Sequence, residues 1–492
     1  MNPRRCPLSC DAHHTCNRRE FLRGSATLLA GSSLLAGCGS QLHASTVTPA
    51  RPRGPASKCR PFVNAAFVRR KEDYGMWWPG AVYDGKAARR KYTQELTQAV
   101  NEFGVQLNLR PDPIYSGEEA DAWLAEAKAA KVDGLMLLLL DRQQHTWPTV
   151  RKAADSGIPL VVFSPVGTSF TTNTIHLADR PGCIIYSTDD FSQAKYGLKM
   201  LVAGAKLHRT RCVVLKGNKR SESTMADLGI SLQYVPAQTY LDDYHNTPVS
   251  DEVSAVADWY MFHARRRVGA TRKDVLNGAR GYFTARKIIE REAADAITMD
   301  CLGALRASKE SLPCLAWSRL NDEGIPAACE ADLGAVASHT VVQFLFDRPG
   351  FQQDPVADTS NDAIIGAHCS CPIRLNGFDQ RSEPFVLMHH HALRDATART
   401  IWRQGQRVTS VDVLPGNAEQ GRKTKLLISA GTVLDNVSVP PSGGCVVSVR
   451  VKFDGDQPVL SFPGFHQVFF YGDYKQHLVE FCQLFNLEAQ VV

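Results

Sequence analysis

Short apolar runs alternate with longer amphipathic segments in the first part of the chain, and this rhythm constrains the fold more than any other feature. The apolar runs lie at 62–68, 105–109, 134–140 and 159–163, with helical periodicity between them at 86–103, 118–130 and 146–156. Strands that alternate with helices pair in parallel, because a parallel connection needs a crossover of a dozen or more residues. The pattern predicts an open parallel α/β domain over residues 60–175.

A second α/β series follows, and the character of the chain then changes. Strands are predicted at 183–187, 212–217, 296–299 and 314–319, with helices at 192–203, 251–265, 272–294 and 333–346. Beyond residue 362 the predicted strands are closely spaced, at 363–368, 384–389, 406–413, 425–429, 444–451 and 467–470. The predicted fold class is therefore α/β, with two open parallel α/β domains (60–175 and 176–361) followed by a mostly β C-terminal domain (362–492).

Length and charge agree with an ordinary globular protein. The 492 residues suggest about three domains of roughly 150 residues each. The net charge of +6 is small for this length, and part of it comes from arginines before residue 24. Nothing in the charge pattern therefore indicates a nucleic-acid partner.

The N-terminal segment has the pattern of a targeting signal. Arg18 and Arg19 precede an apolar run over 24–37 that ends at Cys38, and this arrangement resembles a bacterial twin-arginine signal with a lipoprotein cleavage box. The run is too short to span about 30 Å of hydrocarbon. We expect residues 1–38 to direct export, a lipid on Cys38 to anchor the protein at the periplasmic face of a membrane, and residues 39–59 to form a flexible linker. The alternative is a disordered basic leader or a misassigned start.

Fourteen cysteines are present, of which four lie at or before residue 38. An exported protein could pair the other ten. Cys301, Cys314 and Cys329 lie in apolar surroundings, however, where a free cysteine behaves as a small hydrophobic residue. We expect mostly reduced thiols in the core.

Carboxylates follow two of the apolar segments. Asp300 comes directly after the strand predicted at 296–299, and Glu330 and Asp332 directly precede the helix predicted at 333–346. The carboxyl ends of strands are where α/β sheets place ligands. The alternative for Asp332 is a plain helix cap.

Three segments resemble the L-fucose and L-arabinose isomerase superfamily. Residues 329–332 (Cys-Glu-Ala-Asp) resemble the Glu-x-Asp segment of fucose isomerases. Residues 365–372 resemble the Gly-Ala-His segment of arabinose isomerases, and 464–474 the C-terminal His segment of fucose isomerases. The resemblance implies an aldose–ketose isomerase of carbohydrate metabolism that works through a cis-enediol and binds Mn²⁺ or another divalent first-row metal.

The resemblance also implies roles for single residues. Asp332 and His466 correspond to metal ligands, and His368 to a ligand or substrate contact. The upstream glutamate of the family, a metal ligand and acid/base partner, has no clear counterpart; Asp300 is the best substitute and Glu330 the second, which leaves catalysis open. The alternative is that Asp332 only caps a helix and that His368 and His466 are core or interface histidines.

Further implications concern the ligand and the assembly. Trp77 and Trp78 could form a stacking platform for a sugar, or they could simply pack. The superfamily implies a homo-oligomer, by analogy a hexamer. Two alternatives stay open: a catalytically inactive relative, and an exported sugar-binding lipoprotein, for which segments 132–136 and 157–162 would be typical.

Overall fold

The computed structural model describes most of the chain from residue 47 onward, and the structural statements below refer to those residues. They are 47–71, 76–77, 82–142, 145–305, 308, 310–389, 395–437 and 445–492. The predicted signal with Cys38 lies outside the described residues, as do Trp78 and the side chain of Trp77. None of the helices in this part combines the length and apolar character that a membrane crossing requires.

The first sheet, here called the N-terminal sheet, has five parallel strands. Its spatial order is Gln106–Leu109, Phe62–Val68, Gly134–Leu139, Leu160–Ser164 and Cys183–Ser187. The strand Gly134–Leu139 is buried along its whole length, which explains its continuous apolar sequence. The helices of this part of the chain are Pro55–Lys58, Gly85–Phe103, Gly117–Ala130, Thr146–Ala154, Thr171–Thr174 and Phe191–Leu207.

The middle sheet also has five strands, and a hairpin forms one edge. Its order is Ala327–Cys329, Ala296–Met299, Arg211–Leu215, Ile230–Val235 and Ser221–Met225, all parallel except the last pair. The helices of this region are Gln238–His245, Asp251–His263, Arg272–Arg291, Cys301–Leu305, Cys314–Asp322 and Leu333–Phe346.

The C-terminal sheet is antiparallel and closes on itself. Its order is Arg407–Leu414, Gln467–Tyr471, Phe351–Asp358, Ala363–His368, Val447–Phe453, Lys425–Asn436 and Glu488–Val491. Strand Arg407–Leu414 also pairs with Lys425–Asn436, so the first six strands form a barrel, and Glu488–Val491 joins that strand in parallel. The predicted layout of α/β sheets followed by a β region is confirmed at this level.

The remaining elements are short or lie at the periphery of these sheets. One three-stranded sheet contains Arg266–Val268, Phe385–His389 and Ala396–Thr400, and Met76–Trp77 pairs with Val82–Tyr83. Two 3-10 turns, Ala418–Gln420 and Val459–Ser461, and the helix Lys475–Leu484 complete the described elements.

The strand predicted at 314–319 is wrong, because this segment is the helix Cys314–Asp322. Eight of its nine residues are buried, so no polar face marks a helical period. A short apolar run of this kind does not distinguish a buried strand from a buried helix.

Sheet membership differs from the predicted domain boundaries at two places. Strand Cys183–Ser187, predicted in the second domain, belongs to the N-terminal sheet, and Phe351–Asp358, which the sequence pattern missed, belongs to the C-terminal sheet. The end of the predicted linker is also packed: Ala50 and Ala56 are buried, and Asp295 accepts hydrogen bonds from the backbone N–H groups of Ala56 and Ser57. Ordered structure therefore begins before residue 60.

Candidate functional site

Two paired strand ends bring the first carboxylates together. Strands Ala296–Met299 and Ala327–Cys329 are parallel neighbours, with Met299 opposite Cys329. Asp300 and Glu330 therefore leave the same edge of the middle sheet side by side. The Asp300 carboxylate accepts a hydrogen bond from the backbone N–H of Gly303 at 3.0 Å, which gives it a role in capping the next helical turn.

The backbone after the second strand turns sharply. Glu330 (φ 65°) and Ala331 (φ 52°) are both left-handed, and Asp332 then starts the helix Leu333–Phe346 as its N-cap. A left-handed conformation costs a non-glycine residue roughly 1–2 kcal/mol, and such residues concentrate at functional sites. His466 has the same conformation, with φ 57°. The strained backbone positions therefore lie at, or next to, the candidate site residues.

His466 reaches this edge from the C-terminal sheet. Its Nδ1 lies 2.9 Å from Oδ2 of Asp332 in a hydrogen bond, while Oδ1 of Asp332 accepts the backbone N–H of Ala335 at 2.8 Å. Asp332 is therefore both a helix cap and the orienting partner of a histidine.

The other ring nitrogen of His466 faces two carboxylates. Its Nε2 lies 3.1 Å from Oδ1 of Asp354 and 3.5 Å from Oε2 of Glu330. The Asp354 contact falls outside hydrogen-bond geometry, and both Nε2 of His466 and Oδ1 of Asp354 are buried with no hydrogen-bond partner. These two atoms therefore attract each other by charge without a well-formed hydrogen bond, and a cation bound at Nε2 would take the place of its proton.

His368 supplies a second imidazole. It ends the strand Ala363–His368, is buried, and its Nε2 lies 4.0 Å from Oε1 of Glu330. Its ring centroid is 5.6 Å from that of His466. On the other side, Nδ1 of His368 lies 3.4 Å from Oγ of Ser370.

Glu330, His368 and His466 together form a group that could hold a cation. One donor atom from each lies within 4.8 Å of the other two. Two imidazoles with carboxylate oxygens suit divalent first-row metals, without selecting manganese among them. Asp332 would orient His466 behind such an ion, which is the usual arrangement of a ligating histidine with a carboxylate.

The electrostatics of the site are dominated by crowded carboxylates around one imidazole. Burial lowers the pKa of His466, but the hydrogen bond to Asp332 and the adjacent Asp354 carboxylate outweigh burial and raise this pKa to about 10. Burial raises the pKa of Glu330, reinforced by the carboxylates of Asp354, Asp332 and Asp300 and opposed by His466. Such crowding favours a positive charge on or beside the His466 ring, which is the imidazolium proton in the free protein and a cation that displaces this proton when an ion binds.

The pKa values of two further carboxyl groups, Asp332 and Asp412, are shifted in opposite directions. Burial raises the pKa of Asp332, but the hydrogen bonds from His466 and from the Ala335 backbone outweigh burial and leave it below its usual range. Burial raises the pKa of Asp412 to about 6, and Oδ2 of Asp412 accepts the backbone N–H of Phe465 at 3.1 Å.

The structure brings together four of the predicted site residues, Glu330, Asp332, His368 and His466. Asp300 lies beside Glu330 but outside the group of three donor residues. Asp354 was missed because strand Phe351–Asp358 was not predicted. The polar run Gln352-Gln353-Asp354, buried at both glutamines, is the signal that could have found it.

Comparisons with known proteins find similarity at the level of solved structures. No family model and no curated protein matches the chain. Solved structures with some similarity include a transporter solute-binding protein from Burkholderia multivorans (12% identity, 49% of this chain and 80% of that one, TM-score 0.18). Another is GanP, a glucose-galactose binding protein from Geobacillus stearothermophilus (15%, 59% and 93%, TM-score 0.19). A third, from Agrobacterium vitis, is a solute-binding protein bound with α-D-tagatopyranose (13%, 49% and 76%, TM-score 0.16).

These comparisons overturn the family prediction. The resemblance to L-fucose and L-arabinose isomerases is wrong: no family model and no curated protein matches the chain, and the solved structures found are described as solute-binding or sugar-binding proteins and not as isomerases. The expectation of an isomerase of carbohydrate metabolism is therefore wrong as well, while a bound Mn²⁺ or other divalent first-row metal stays a prediction. TM-scores this low establish no shared fold, so the candidate site must be interpreted from its own geometry.

Proposed function

We propose that this chain is an exported carbohydrate-binding protein that holds its ligand at a divalent cation. The observation that carries the proposal is the convergence of donor atoms from Glu330, His368 and His466 within 4.8 Å. The residues come from two different sheets, so only the folded chain assembles the group. Export follows the predicted signal over residues 1–38 and stays part of the proposal.

The ligand class follows from what surrounds the cation. A first-row cation held by three protein donors keeps positions for outside oxygens, and neighbouring hydroxyl groups of a sugar can fill two of them. The Glu330 side chain is 33% exposed, which leaves an approach from solvent. Asp332 and Asp354 supply further acceptors for sugar hydroxyl groups.

An exposed aromatic ring stands at the edge of this group. Phe465 is 59% exposed, and its ring centroid lies 4.4 Å from that of His466. Exposed aromatic faces next to polar groups are typical of sites that bind amphipathic ligands such as sugar rings. We therefore assign Phe465 the role of a stacking platform, while the same role for Trp77 and Trp78 stays a prediction.

Calorimetry on the purified full chain tests the proposal. After treatment with a chelator, the protein is titrated with Mn²⁺, Co²⁺ and Zn²⁺, and then with neutral monosaccharides in the presence and absence of the ion that binds. We expect one ion per chain, and sugar binding that requires the ion. Sugar binding that is equally tight without any ion would contradict the role of the cation, and no sugar binding under either condition would contradict the function.

A matched pair of variants locates the site. Glu330→Gln removes a charged donor from the group and should reduce cation affinity at least tenfold. Glu118→Gln changes an exposed glutamate in the first turn of helix Gly117–Ala130 and should leave the affinity unchanged. Equal cation affinity in both variants would place the ion elsewhere.

A further inference from the structure

Several buried thiols lie directly behind the candidate site. Two of them, Cys314 and Cys369, have sulfur atoms 3.3 Å apart. Cys314 is 4% exposed and Cys369 is 8% exposed. Cys314 begins the helix Cys314–Asp322, and Cys369 follows His368 in the chain. The pair therefore lies between a buried helix and the segment that carries a candidate ligand.

A third thiol lies next to this pair and nearer to solvent. Cys445 is only partly buried and is in side-chain contact with Cys369. Cys369 thus has one thiol neighbour in the interior and another near the surface. A shallow thiol beside a buried one offers a route by which an oxidant outside can act on the interior.

We propose that Cys314 and Cys369 form a disulfide when the protein meets a disulfide oxidant, with Cys445 as the thiol that reacts first. The pairing fits an exported protein, since disulfides persist in oxidising compartments. It adds a modification site to the expectation of reduced core thiols. The sulfur atoms must approach from 3.3 Å to bonding distance, about 2.05 Å, which requires only a small movement.

The reaction balances as two thiol–disulfide exchanges and one rearrangement. The contact with Cys369 and burial raise the pKa of the Cys445 thiol, so its thiolate is a minor form and the first step is the slow one. That thiolate attacks a low-molecular-weight disulfide, forms a mixed disulfide and releases the first reagent thiol. The Cys369 thiolate then attacks the Cys445 sulfur and releases the second. Finally the Cys314 thiolate attacks the Cys369 sulfur and frees Cys445. In total, two cysteine thiols lose two electrons and two protons, and the reagent disulfide gains both as two thiols.

The product would connect parts of the site that are otherwise held by weaker contacts. The cross-link joins residues 55 positions apart in the chain. It would fix the 369–371 segment, where Oγ of Ser370 lies 3.3 Å from Sγ of Cys329 and 3.4 Å from Nδ1 of His368. Oxidation should therefore raise the thermal unfolding temperature and restrict the position of His368.

Peptide mapping of the natively folded full chain tests the proposal. The protein is incubated with oxidised glutathione or with a reductant, remaining thiols are blocked during acid quenching, and the digest is analysed by mass spectrometry. We expect a peptide joining Cys314 to Cys369 in the oxidised sample and the loss of two free thiols per chain. No loss of thiols, or a cross-link between Cys301 and Cys329 in its place, would overturn the assignment.

Variants separate the entry thiol from the final pair. Cys445→Ser should reach the same cross-link at least tenfold more slowly, and Cys314→Ser should stop at the Cys369–Cys445 pair. Cys482→Ser changes a buried thiol elsewhere and should oxidise like the wild type. A Cys445→Ser protein that oxidises at the wild-type rate would remove the entry role. Should a variant fail to fold, the wild-type peptide map alone still decides the pairing.

Discussion

Asp332 and His466 are 134 residues apart in the chain, yet Nδ1 of His466 donates to Oδ2 of Asp332 at 2.9 Å. This contact joins the start of the helix Leu333–Phe346 to the strand that begins at Gln467. It fixes the orientation of the His466 ring, so that Nε2 faces Glu330 and Asp354. The geometry of the candidate cation site therefore depends on a carboxylate that also caps a helix.

Asp332→Asn should separate these two roles. Asparagine caps helices about as well as aspartate, so the free energy of unfolding should change by less than about 1 kcal/mol. The charged partner of His466 is lost, however, and cation affinity should fall about 10- to 100-fold. Calorimetric titration with the cation and urea unfolding measure the two effects. The control is Asp190→Asn at the N-cap of helix Phe191–Leu207, which should leave cation affinity unchanged. Equal cation affinity in the two variants would contradict the orienting role.

Phe465→Ala should weaken sugar binding without weakening cation binding. The ring is exposed beside His466 and has no donor atom for the ion. Loss of one stacking face should cost about 1 kcal/mol, or roughly fivefold in sugar affinity. Phe262→Ala, which removes another exposed ring, should change neither affinity. A parallel loss of cation affinity in Phe465→Ala would show that the ring supports the fold of the site instead.

Gly464→Ala should destabilise the protein more than a substitution at a comparable glycine. Gly464 has φ +95°, and an added Cβ would lie 2.6 Å from Nε2 of Gln467 and 2.8 Å from Oδ2 of Asp412. Gly405 has φ +76° and open space around it, so Gly405→Ala tests backbone strain alone.

We expect about 1–2 kcal/mol of lost stability for Gly405→Ala. Overpacking should add about 1–3 kcal/mol for Gly464→Ala, with weaker cation binding because His466 lies two residues away. Urea unfolding of both variants measures the difference. Equal losses would mean that the Gly464 loop moves aside freely.

Acid should destabilise the protein through His339, which lies inside the helix Leu333–Phe346. Both ring nitrogens of His339 are buried without a hydrogen-bond partner, and burial, with a smaller contribution from His368, lowers its pKa from 6.5 to about 3. The folded state therefore binds fewer protons than the unfolded state between pH 6.5 and pH 3. The contribution of neutral His339 to the free energy of unfolding is fully present above pH 6.5. It is lost as the pH falls through this window, by about 2 kcal/mol at pH 5.

His339→Leu should remove this dependence. The difference in unfolding free energy between wild type and variant, measured in urea at pH 7.5 and pH 5, should change by about 2 kcal/mol. His263→Gln, at an exposed position on helix Asp251–His263, should keep the wild-type dependence. A wild-type-to-variant difference that is the same at both pH values would contradict the prediction.

Hydrophobic periodicity predicted many of the helices and strands. It failed where an element is buried on all sides, because such an element has no polar face. The alternation of strands and helices predicted the N-terminal sheet nearly to the residue, because its strands are apolar and its helices amphipathic. The segment Cys314–Asp322 was misread, since a helix buried on all sides has no polar face. Strand Phe351–Asp358 was missed because its polar start, Gln352-Gln353-Asp354, breaks the apolar pattern.

The sequence by itself determined the class of the fold and the carboxylates at the strand ends, because local propensity and hydrophobic period act within a few residues. Only the tertiary structure decided which distant side chains meet. The parallel register of Met299 with Cys329 places Asp300 beside Glu330, and closure of the C-terminal barrel brings Asp354, His368 and His466 to the same edge. Contacts over such separations depend on sheet pairing and packing, which local patterns do not encode.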